Sequence, residues 1–361
     1  MLLNKHKLLF PMADNKSSLL VLAKDGTLTL AVSVGESIYR RIIEKTGLSD
    51  FYGEIICWNS NQKNIKRTMK DEIEIDFEPA HAGDGNRLVI KSGESVTEFT
   101  LISGDSETEF FEQLNPLFSV MPMVATIPIT KKLVKVTDTL FEMLRIGCSA
   151  NALIVGDKFI KTSDTACVLS LVYDDADCQE FYLTQSLKPL LGFDDLLVFE
   201  DPLTERSYYY TSKDDIEAFI AGDRPNIDYP TESEIASVTP LPTDEIVDIT
   251  GIFDYVKSTA KIYRRLDLRW WQTKLDFGSE RIIFEIDAPQ LRQVDGVEVP
   301  CKTIAELWLP LKYLYSVGDL FIEPVTIQFN NIGPREEHGQ SVVFKSSNMT
   351  LVLCKMIMKS K

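Results

Sequence analysis

The residues of this sequence that are best able to do chemistry are lysines and arginines spaced at helical intervals. Lys63, Lys66, Arg67 and Lys70 follow one another at i, i+3, i+4 and i+7, which would place them on one stripe of a helix predicted over 59–70. Like charges four residues apart cost a helix about 0.2–0.5 kcal/mol. Such side chains attract phosphate groups without reading a base sequence. The stripe predicts either a surface for a nucleic-acid backbone or an ordinary solvated helix face.

Two further predicted helices, over 130–145 and 251–266, repeat this division into a basic side and an apolar side. Their basic residues are Lys132, Lys135, Lys257, Lys261, Arg264 and Arg265. A solvated face is the better explanation of one such helix alone. Three basic faces in one acidic chain favour phosphate binding.

The net charge of −16 would ordinarily argue against nucleic acid as a partner. The charge is segregated, however. Segments 59–70, 130–135 and 251–269 carry +4, +3 and +3, so the rest of the chain carries −26. The distribution of charge is therefore more informative than its total.

Catalytic chemistry has little support in the sequence. The three histidines, His6, His81 and His338, are far apart, and neither a zinc-binding H-E-x-x-H, a phosphate-binding P-loop nor a G-x-S-x-G motif is present. Acidic pairs such as Asp174-Asp175 and Asp214-Asp215 are explained more simply as turns and solvated strand edges. We expect no catalytic residue, no metal site and no cofactor.

Composition predicts a protein of the cytoplasm. No apolar run approaches the roughly 20 residues of a membrane-spanning helix, and the N-terminus has no pattern of a signal peptide. None of the six cysteines belongs to a C-x-x-C pair, which fits reduced thiols better than a disulfide framework.

One structural unit recurs at an interval of 126 residues. Strand-like segments begin at Glu54, Glu180 and Glu306, and each is followed by a helical or short polar segment and then three strands. We predict an α+β fold of three domains, each built from two β-α-β-β-β units. The predicted boundaries are 1–118, 119–240 and 241–361.

Some segments inside these domains allow more than one interpretation. Ser18–Leu22 and Thr27–Val32 predict a hairpin. Ser37–Ile43 fits a helix with a capping box or a third strand, and we favour the strand. Residues 221–245, with four prolines, predict a linker. The first strand and helix of domain 1 must be short, broken or missing, because only about sixteen residues precede its hairpin.

Three domains of this kind, with basic helices and an acidic remainder, resemble the DNA sliding clamps of the bacterial β-clamp type, the β subunit of DNA polymerase III. The closest local matches are 152–164 and 355–359, which look like the family's Thr-Asp-Gly-His-Arg-Leu turn and its terminal Met-Pro-Met-Arg-Leu. The sequence departs from the family at Thr165-Ala166-Cys167 and at Ile357. This divergence favours a bacteriophage or other viral clamp acting in an infected bacterial cell.

The resemblance implies a homodimeric ring with helices inside and antiparallel sheets outside, which encircles double-stranded DNA without sequence preference. It implies a processivity factor, not an enzyme, that holds DNA polymerase and clamp loader through short peptides. The groove for those peptides would lie between domains 2 and 3. Carried over by position, its residues are Val168, Pro242, Met356 and Met358.

Three other classes of protein remain open at this stage. A β-rich viral structural protein would carry the basic stripes as solvated faces and would not encircle DNA. A hydrolase would use the aspartate pairs with a divalent metal. A monomeric two-domain viral processivity factor is disfavoured by the third repeat.

Overall fold

The computed structural model describes the chain outside sixteen gaps. The described residues are 1–10, 12–34, 37–44, 46–48, 50–78, 86–102, 121–146, 151–164, 166–238, 245–250, 273–278, 280–288, 291–299, 305–309, 312–329 and 341–354. The chain divides into two compact units. Unit 1 comprises residues 1–130 and 189–223, and unit 2 comprises 131–188 and 224–361.

Unit 1 contains one sheet of four strands and one of eight, both antiparallel. The four-stranded sheet has the order β1 (Leu2–Asn4), β6 (Glu72–Glu78), β7 (Arg87–Ser92) and β8 (Ser95–Thr100). The eight-stranded sheet has the order β5 (Phe51–Ile55), β2 (Leu19–Lys24), β3 (Thr27–Val34), β4 (Ser37–Ile43), β16 (Ile216–Ala221), β15 (Arg206–Lys213), β14 (Asp195–Asp201) and β9 (Met123–Pro128).

Alternation of apolar side chains fixes the faces of the larger sheet in unit 1. Leu19 and Val21 in β2, and Leu28 and Leu30 in β3, are buried on one face. Asp25 and Gly26 join the two strands with positive φ angles of 49° and 73°, the backbone of a two-residue hairpin turn that twists with its strands. The predicted first hairpin is therefore confirmed.

The first strand and the first helix are short, as predicted. The strand β1 has three residues, and a 3-10 helix at Lys5–Leu8 follows it where the repeat would have a longer helix. The buried guanidinium of Arg41 donates hydrogen bonds to the carbonyl oxygens of His6, Lys7 and Leu9 at 2.7, 2.7 and 2.9 Å. Arg41 therefore holds this short segment against β4.

Unit 2 repeats the same arrangement of one large sheet and one small one. The eight-stranded sheet has the order β13 (Phe181–Leu183), β10 (Leu153–Gly156), β11 (Phe159–Ser163), β12 (Cys167–Val172), β24 (Met349–Cys354), β23 (Ser341–Lys345), β22 (Thr326–Phe329) and β17 (Glu245–Asp248). The four-stranded sheet has the order β20 (Leu291–Glu298), β19 (Arg281–Ala288), β18 (Thr273–Phe277) and β21 (Ala305–Leu309).

The described helices are few. Unit 1 has α1 (Trp58–Thr68), and unit 2 has α2 (Lys131–Ile146), α3 (Glu232–Val238) and α4 (Lys312–Val317). Short 3-10 helices lie at Lys188–Leu190 and Gly318–Leu320. Within unit 2, α2 contacts α4. Buried side chains on these two helices include Leu133, Leu140 and Leu314, each at most 1% exposed.

The two large sheets are built by one rule. In unit 1 the junction between sheet halves is the antiparallel pair β4·β16, and in unit 2 it is β12·β24. In both, the third strand of a three-strand meander meets the third strand of another meander that comes later in the sequence. This equivalence defines corresponding residues in the two sheets.

Most predicted elements are confirmed, one prediction is corrected and one strand was missed. Antiparallel sheets with few helices confirm the predicted α+β fold class, and Ser37–Ile43 is a strand. Residues 221–245 are not only a linker: α3 begins after Thr231, whose hydroxyl accepts from Glu234 N, while the Glu234 carboxylate accepts from Thr231 N. This is a capping box, T-x-x-E, that the prolines on either side obscured. The sequence interpretation also missed β20.

Other predictions lie beyond the described residues. The helix expected over 251–266 and the polar loop over 330–340 fall there, as does the end of the last strand. The domain boundaries 1–118, 119–240 and 241–361 stay a prediction. No helix among the described residues is long and apolar enough to span a membrane.

Candidate nucleic-acid interface and partner groove

Helix α1 is anchored through its apolar side. The indole Nε1 of Trp58, a fully buried side chain, donates to Leu8 O at 3.2 Å, and Gln62 Oε1 accepts from Phe10 N at 2.9 Å. Ile65, one turn further, is 1% exposed. These contacts fix which side of the helix is turned away from the protein, and Trp58 and Ile65 are core residues.

The opposite side of α1 presents the predicted cations. Lys63, Lys66 and Arg67 are exposed, and no hydrogen bond or ion pair to their side chains is present in the part of the chain that the structure describes. The helix ends at Thr68, so Lys70 follows it instead of continuing its stripe. Lys70 is exposed, and its backbone N donates to Ser92 Oγ at 2.8 Å.

Part of this pattern has a purely structural explanation. Lys66 and Arg67 lie in the last turn of α1, where the helix dipole stabilises positive charge. Lys63 lies in the middle of the helix and gains nothing from the dipole. Three unpaired cations on one face in a chain of net charge −16 thus exceed what the dipole explains.

Helix α2 presents a more mixed surface. Lys132 donates to Asp175 Oδ2 at 3.0 Å and lies 4.9 Å from the ring of Tyr173. The hydrogen bond from Lys132 to Asp175 raises the pKa of the lysine. Lys135 is exposed without such a pair among the described residues. Of the two predicted binding residues on α2, Lys135 is therefore the better available to a phosphate.

The third basic set, Lys257, Lys261, Arg264 and Arg265, lies outside the described residues. The structure therefore brings together only the cations of α1, while α2 lies in the other unit.

The described part of the predicted partner groove is one face of the large sheet in unit 2. Val168 is half-buried, and it is paired across β12·β24 with Val352, which in turn is paired with Val343 on β23. Val352 and Val343 are 2% and 6% exposed. Because cross-strand partners share a face, these three side chains form an apolar row, here called the valine row. Pro242, Met356 and Met358 lie outside the described residues.

A turn at Asp164 sets the position of the strand that carries Val168. Asp164 Oδ1 accepts from the backbone N of Ala166 and of Cys167 at 2.8 and 2.9 Å, and Oδ2 accepts from the Tyr313 hydroxyl at 2.5 Å. Tyr313 belongs to α4. The turn is thereby tied to α4.

The chain after β16 passes over the face of this sheet that carries Lys161 and Ser163. Ser163 Oγ donates to Asp228 O at 3.0 Å, and Lys161 Nζ lies 4.1 Å from the ring of Phe159 and 5.6 Å from that of Tyr229. Burial raises the pKa of Tyr229 to about 12, so its ring is neutral at physiological pH. Sequence reasoning missed these residues. The alternation in β11 could have placed Lys161 and Ser163 on one face.

The acidic pairs do not converge. Asp215 is bonded to Lys7 and to Arg41, and Asp175 is bonded to Lys132. Across the described ranges, no three histidine, cysteine or acidic side chains come together as metal ligands would.

Comparison with solved structures shows which proteins have a fold similar to that of this chain. No protein-family profile and no curated protein match it. The β subunit of DNA polymerase III from Pseudomonas aeruginosa is similar over 99% of this chain and 100% of that one, with 12% identity and a TM-score of 0.64. The Thermotoga maritima β subunit gives 13% identity, 99% coverage of both chains and a TM-score of 0.62.

The third comparison is with a complex. The Helicobacter pylori β clamp bound to a DNA ligase peptide has 13% identity, 99% coverage of both chains and a TM-score of 0.62. The chain therefore has the fold of the DNA sliding clamps. Within that class, its whole length follows the three-domain pattern of the bacterial DNA polymerase III β subunit.

Proposed function

We propose that this protein is a DNA sliding clamp, a homodimeric ring that encircles duplex DNA and holds a DNA polymerase on it. The role is topological instead of catalytic: a closed ring leaves DNA only by opening. Contacts of lysine and arginine with phosphates read no base, so they oppose sliding little. The ring would act in the cytoplasm of a bacterial or phage-infected bacterial cell.

The observation that carries this proposal is the arrangement of the sheet junctions. β4 pairs with β16, and β12 pairs with β24. In each case the three-strand meander of the first β-α-β-β-β unit of one predicted domain is joined to the meander of the second unit of the next domain. By the same rule, β8 would pair with a strand of a domain before domain 1, and β20 would pair with a strand of a domain after domain 3. Among the described residues, both are outer strands of four-stranded sheets. Pairing β8 of one protomer with β20 of another would complete the series and close a ring.

The side chains on these outer strands fit an interface. Val96 on β8 and Val294 on β20 are 55% and 52% exposed. An exposed strand edge that carries apolar side chains is a site for pairing with another chain. Two protomers of three domains each give six domains, which is the number that the β-clamp resemblance implies.

The lining and the groove complete the proposal. The unpaired cations of α1, with Lys135 and the basic set of 251–269, would face DNA, while the acidic remainder would repel it from the outside. Val168, the half-buried member of the valine row, would bind polymerase and clamp-loader peptides together with Pro242, Met356 and Met358. Tethering a polymerase this way raises its effective concentration at the primer end.

Retention on circular DNA tests encirclement directly. The protein is incubated with nicked circular DNA long enough for spontaneous opening, the complex is isolated by gel filtration, and the circle is then cut once. We expect co-elution with the circle and release on cutting, because only the topological link is lost. Failure to co-elute, or retention that survives cutting, would favour a structural protein or an ordinary DNA-binding protein.

The dimer contact is tested by Val96→Asp. A carboxylate buried in a strand-to-strand interface without a partner is strongly unfavourable, so we expect a monomer at micromolar concentration by light scattering where the wild type is a dimer. Val172→Asp is the matched control, since Val172 is 50% exposed on β12, whose two edges are both paired. An unchanged dimer in Val96→Asp would refute pairing through β8.

A further inference from the structure

The equivalence of the two large sheets allows their outer faces to be compared row by row. The valine row of unit 2, Val168–Val352–Val343, corresponds to Ile38–Phe219–Tyr210 in unit 1. A second row lies on the same face of each sheet, two residues away along each strand. It is Ala31–Arg40–Glu217–Ser212 in unit 1 and Lys161–Ser170–Thr350–Lys345 in unit 2. We call the second of these the lysine row.

In unit 1 the charge of this row is balanced within the chain. The Arg40 guanidinium lies 4.6 Å from the centre of the Phe219 ring, its Nε donates to Glu217 Oε2 at 2.8 Å, and Tyr210 donates to Glu217 Oε1 at 3.1 Å. A cation stacked on an aromatic ring thus takes a carboxylate from the neighbouring strand. The unit 1 row therefore contains both the cation and the carboxylate that neutralises it.

In unit 2 the corresponding carboxylate is missing. Lys161 lies against the rings of Phe159 and Tyr229, but Thr350 occupies the position of Glu217. Lys345 is exposed at the other end of the row. Among the described residues, neither lysine forms an ion pair. Asp248, two strands beyond Lys345, accepts hydrogen bonds from Thr250.

The spacing of the strands sets the size of what fits here. Adjacent strands lie about 4.8 Å apart, so Thr350 is one strand from Lys345 and two from Lys161. A carboxylate above Ser170 and Thr350 would lie between two cations and beside two hydroxyl groups. The half-buried Val168 lies one step away along β12, on the same face.

We propose that the lysine row is a carboxylate subsite of the partner groove, so that this clamp selects peptides with an aspartate or glutamate next to an apolar residue. The proposal rests on the peptide groove of the proposed function and adds the chemistry that the groove selects. Charge complementarity favours this occupant, because the partner supplies the acid that Glu217 supplies within unit 1.

The test uses a random decapeptide display library as the probe, selected on the full-length protein. We expect selected peptides to be rich in Asp and Glu next to apolar residues. The Lys161→Gln/Lys345→Gln variant should lose that acid enrichment and keep the apolar preference. Thr350→Glu, which copies Glu217 of unit 1, should lose it too while both lysines remain. Lys158→Gln/Lys188→Gln, which removes two exposed lysines elsewhere in unit 2, is the control matched in charge to the double variant.

Affinity measurements then isolate the contact. The best selected peptide and its Glu→Gln form are compared by fluorescence polarisation, and we expect the Gln form to bind about threefold to tenfold more weakly to wild type. The two forms should bind the double variant equally. Acid enrichment that persists in both variants, or none on wild type, would overturn the subsite. If Val168→Asp leaves selection unchanged, the groove itself fails instead.

Discussion

Neutralising the exposed side of α1 is the sharpest test of the proposed DNA lining. The change is Lys63→Gln/Lys66→Gln/Arg67→Gln, which removes three positive charges that the described structure leaves unpaired. Each phosphate contact contributes about 0.9 to the slope of log K against log salt. Full engagement of the three side chains would therefore lower the slope by up to about 2.7 per protomer.

That slope has a measurable consequence. Between about 50 and 200 mM salt, a slope difference of 2.7 corresponds to about 40-fold, so the wild type should lose about 40-fold more affinity than the variant for each protomer whose α1 is fully engaged. The assay is fluorescence anisotropy of a short linear duplex, whose free ends let a ring thread onto it without opening. An affinity difference that vanishes at high salt is expected.

Helix stability has to be checked beside binding. Lys66 and Arg67 each stabilise the last turn of α1 by about 0.3–1 kcal/mol through the helix dipole. Binding is therefore measured far below the melting temperature of each variant. Lys16→Gln/Arg206→Gln/Lys213→Gln removes three exposed charges elsewhere in unit 1 as a control. An unchanged slope in the α1 variant, or an equal change in the control, would refute the assignment of α1 to DNA.

Three further predictions concern unit 1. Trp58→Ala should lower the free energy of unfolding by about 3–5 kcal/mol in urea titrations, because the indole is fully buried and its hydrogen bond is lost; a smaller loss would mean that α1 is not held by its apolar side. Burial alone would raise the pKa of Asp215, but Lys7 and Arg41 outweigh it and lower that pKa below 3.8. The carboxylate therefore stabilises the fold above pH 3.8 and loses this effect as pH falls through the lowered pKa. Asp215→Asn should be destabilising at neutral pH and progressively less so in acid, and a pH-independent difference would contradict the ion pair. Cys57 is exposed, so Cys57→Ser should remove one fast-labelled cysteine from the mass spectrum of iodoacetamide-treated protein. An equal number of fast-labelled cysteines in the wild type and the variant would contradict this prediction.

Elements with strong local signals were predictable from the sequence. The hairpin over Asp25-Gly26 has a turn that only a few residue types adopt, and α1 combines a buried apolar stripe with a polar one. Such signals involve neighbours in sequence. These local elements therefore depend little on the rest of the chain.

The elements that were missed have weak sequence signals of their own. β20, Leu291–Glu298, contains Asp295 and Gly296, which are poor strand formers by themselves. It is a strand because β19 pairs with it over eight residues. Similarly, α3 lies among prolines and is recognised only by its capping box. Pairing with the preceding strand and a single capping interaction decided these two cases.

The binding residues divide in the same way. The cations of α1 could be predicted because helical spacing places them together. The lysine row could not, because Lys161 and Lys345 are far apart in sequence and become part of one row only through the register of β11, β12, β24 and β23. Register of this kind follows from the assembled sheet.

One backbone pattern, used repeatedly, thus supports different outcomes according to the side chains beside each junction. In unit 1 the row next to β4·β16 contains Arg40 and Glu217, so it is balanced within the chain. In unit 2 the row next to β12·β24 contains two lysines and no acid, which leaves it complementary to an acidic partner. The remaining outer strands, β8 and β20, have the place of a junction and exposed valines but no partner within the described chain. Repetition of the fold therefore supports the proposed ring, whereas divergence of the side chains explains why each junction would have its own task.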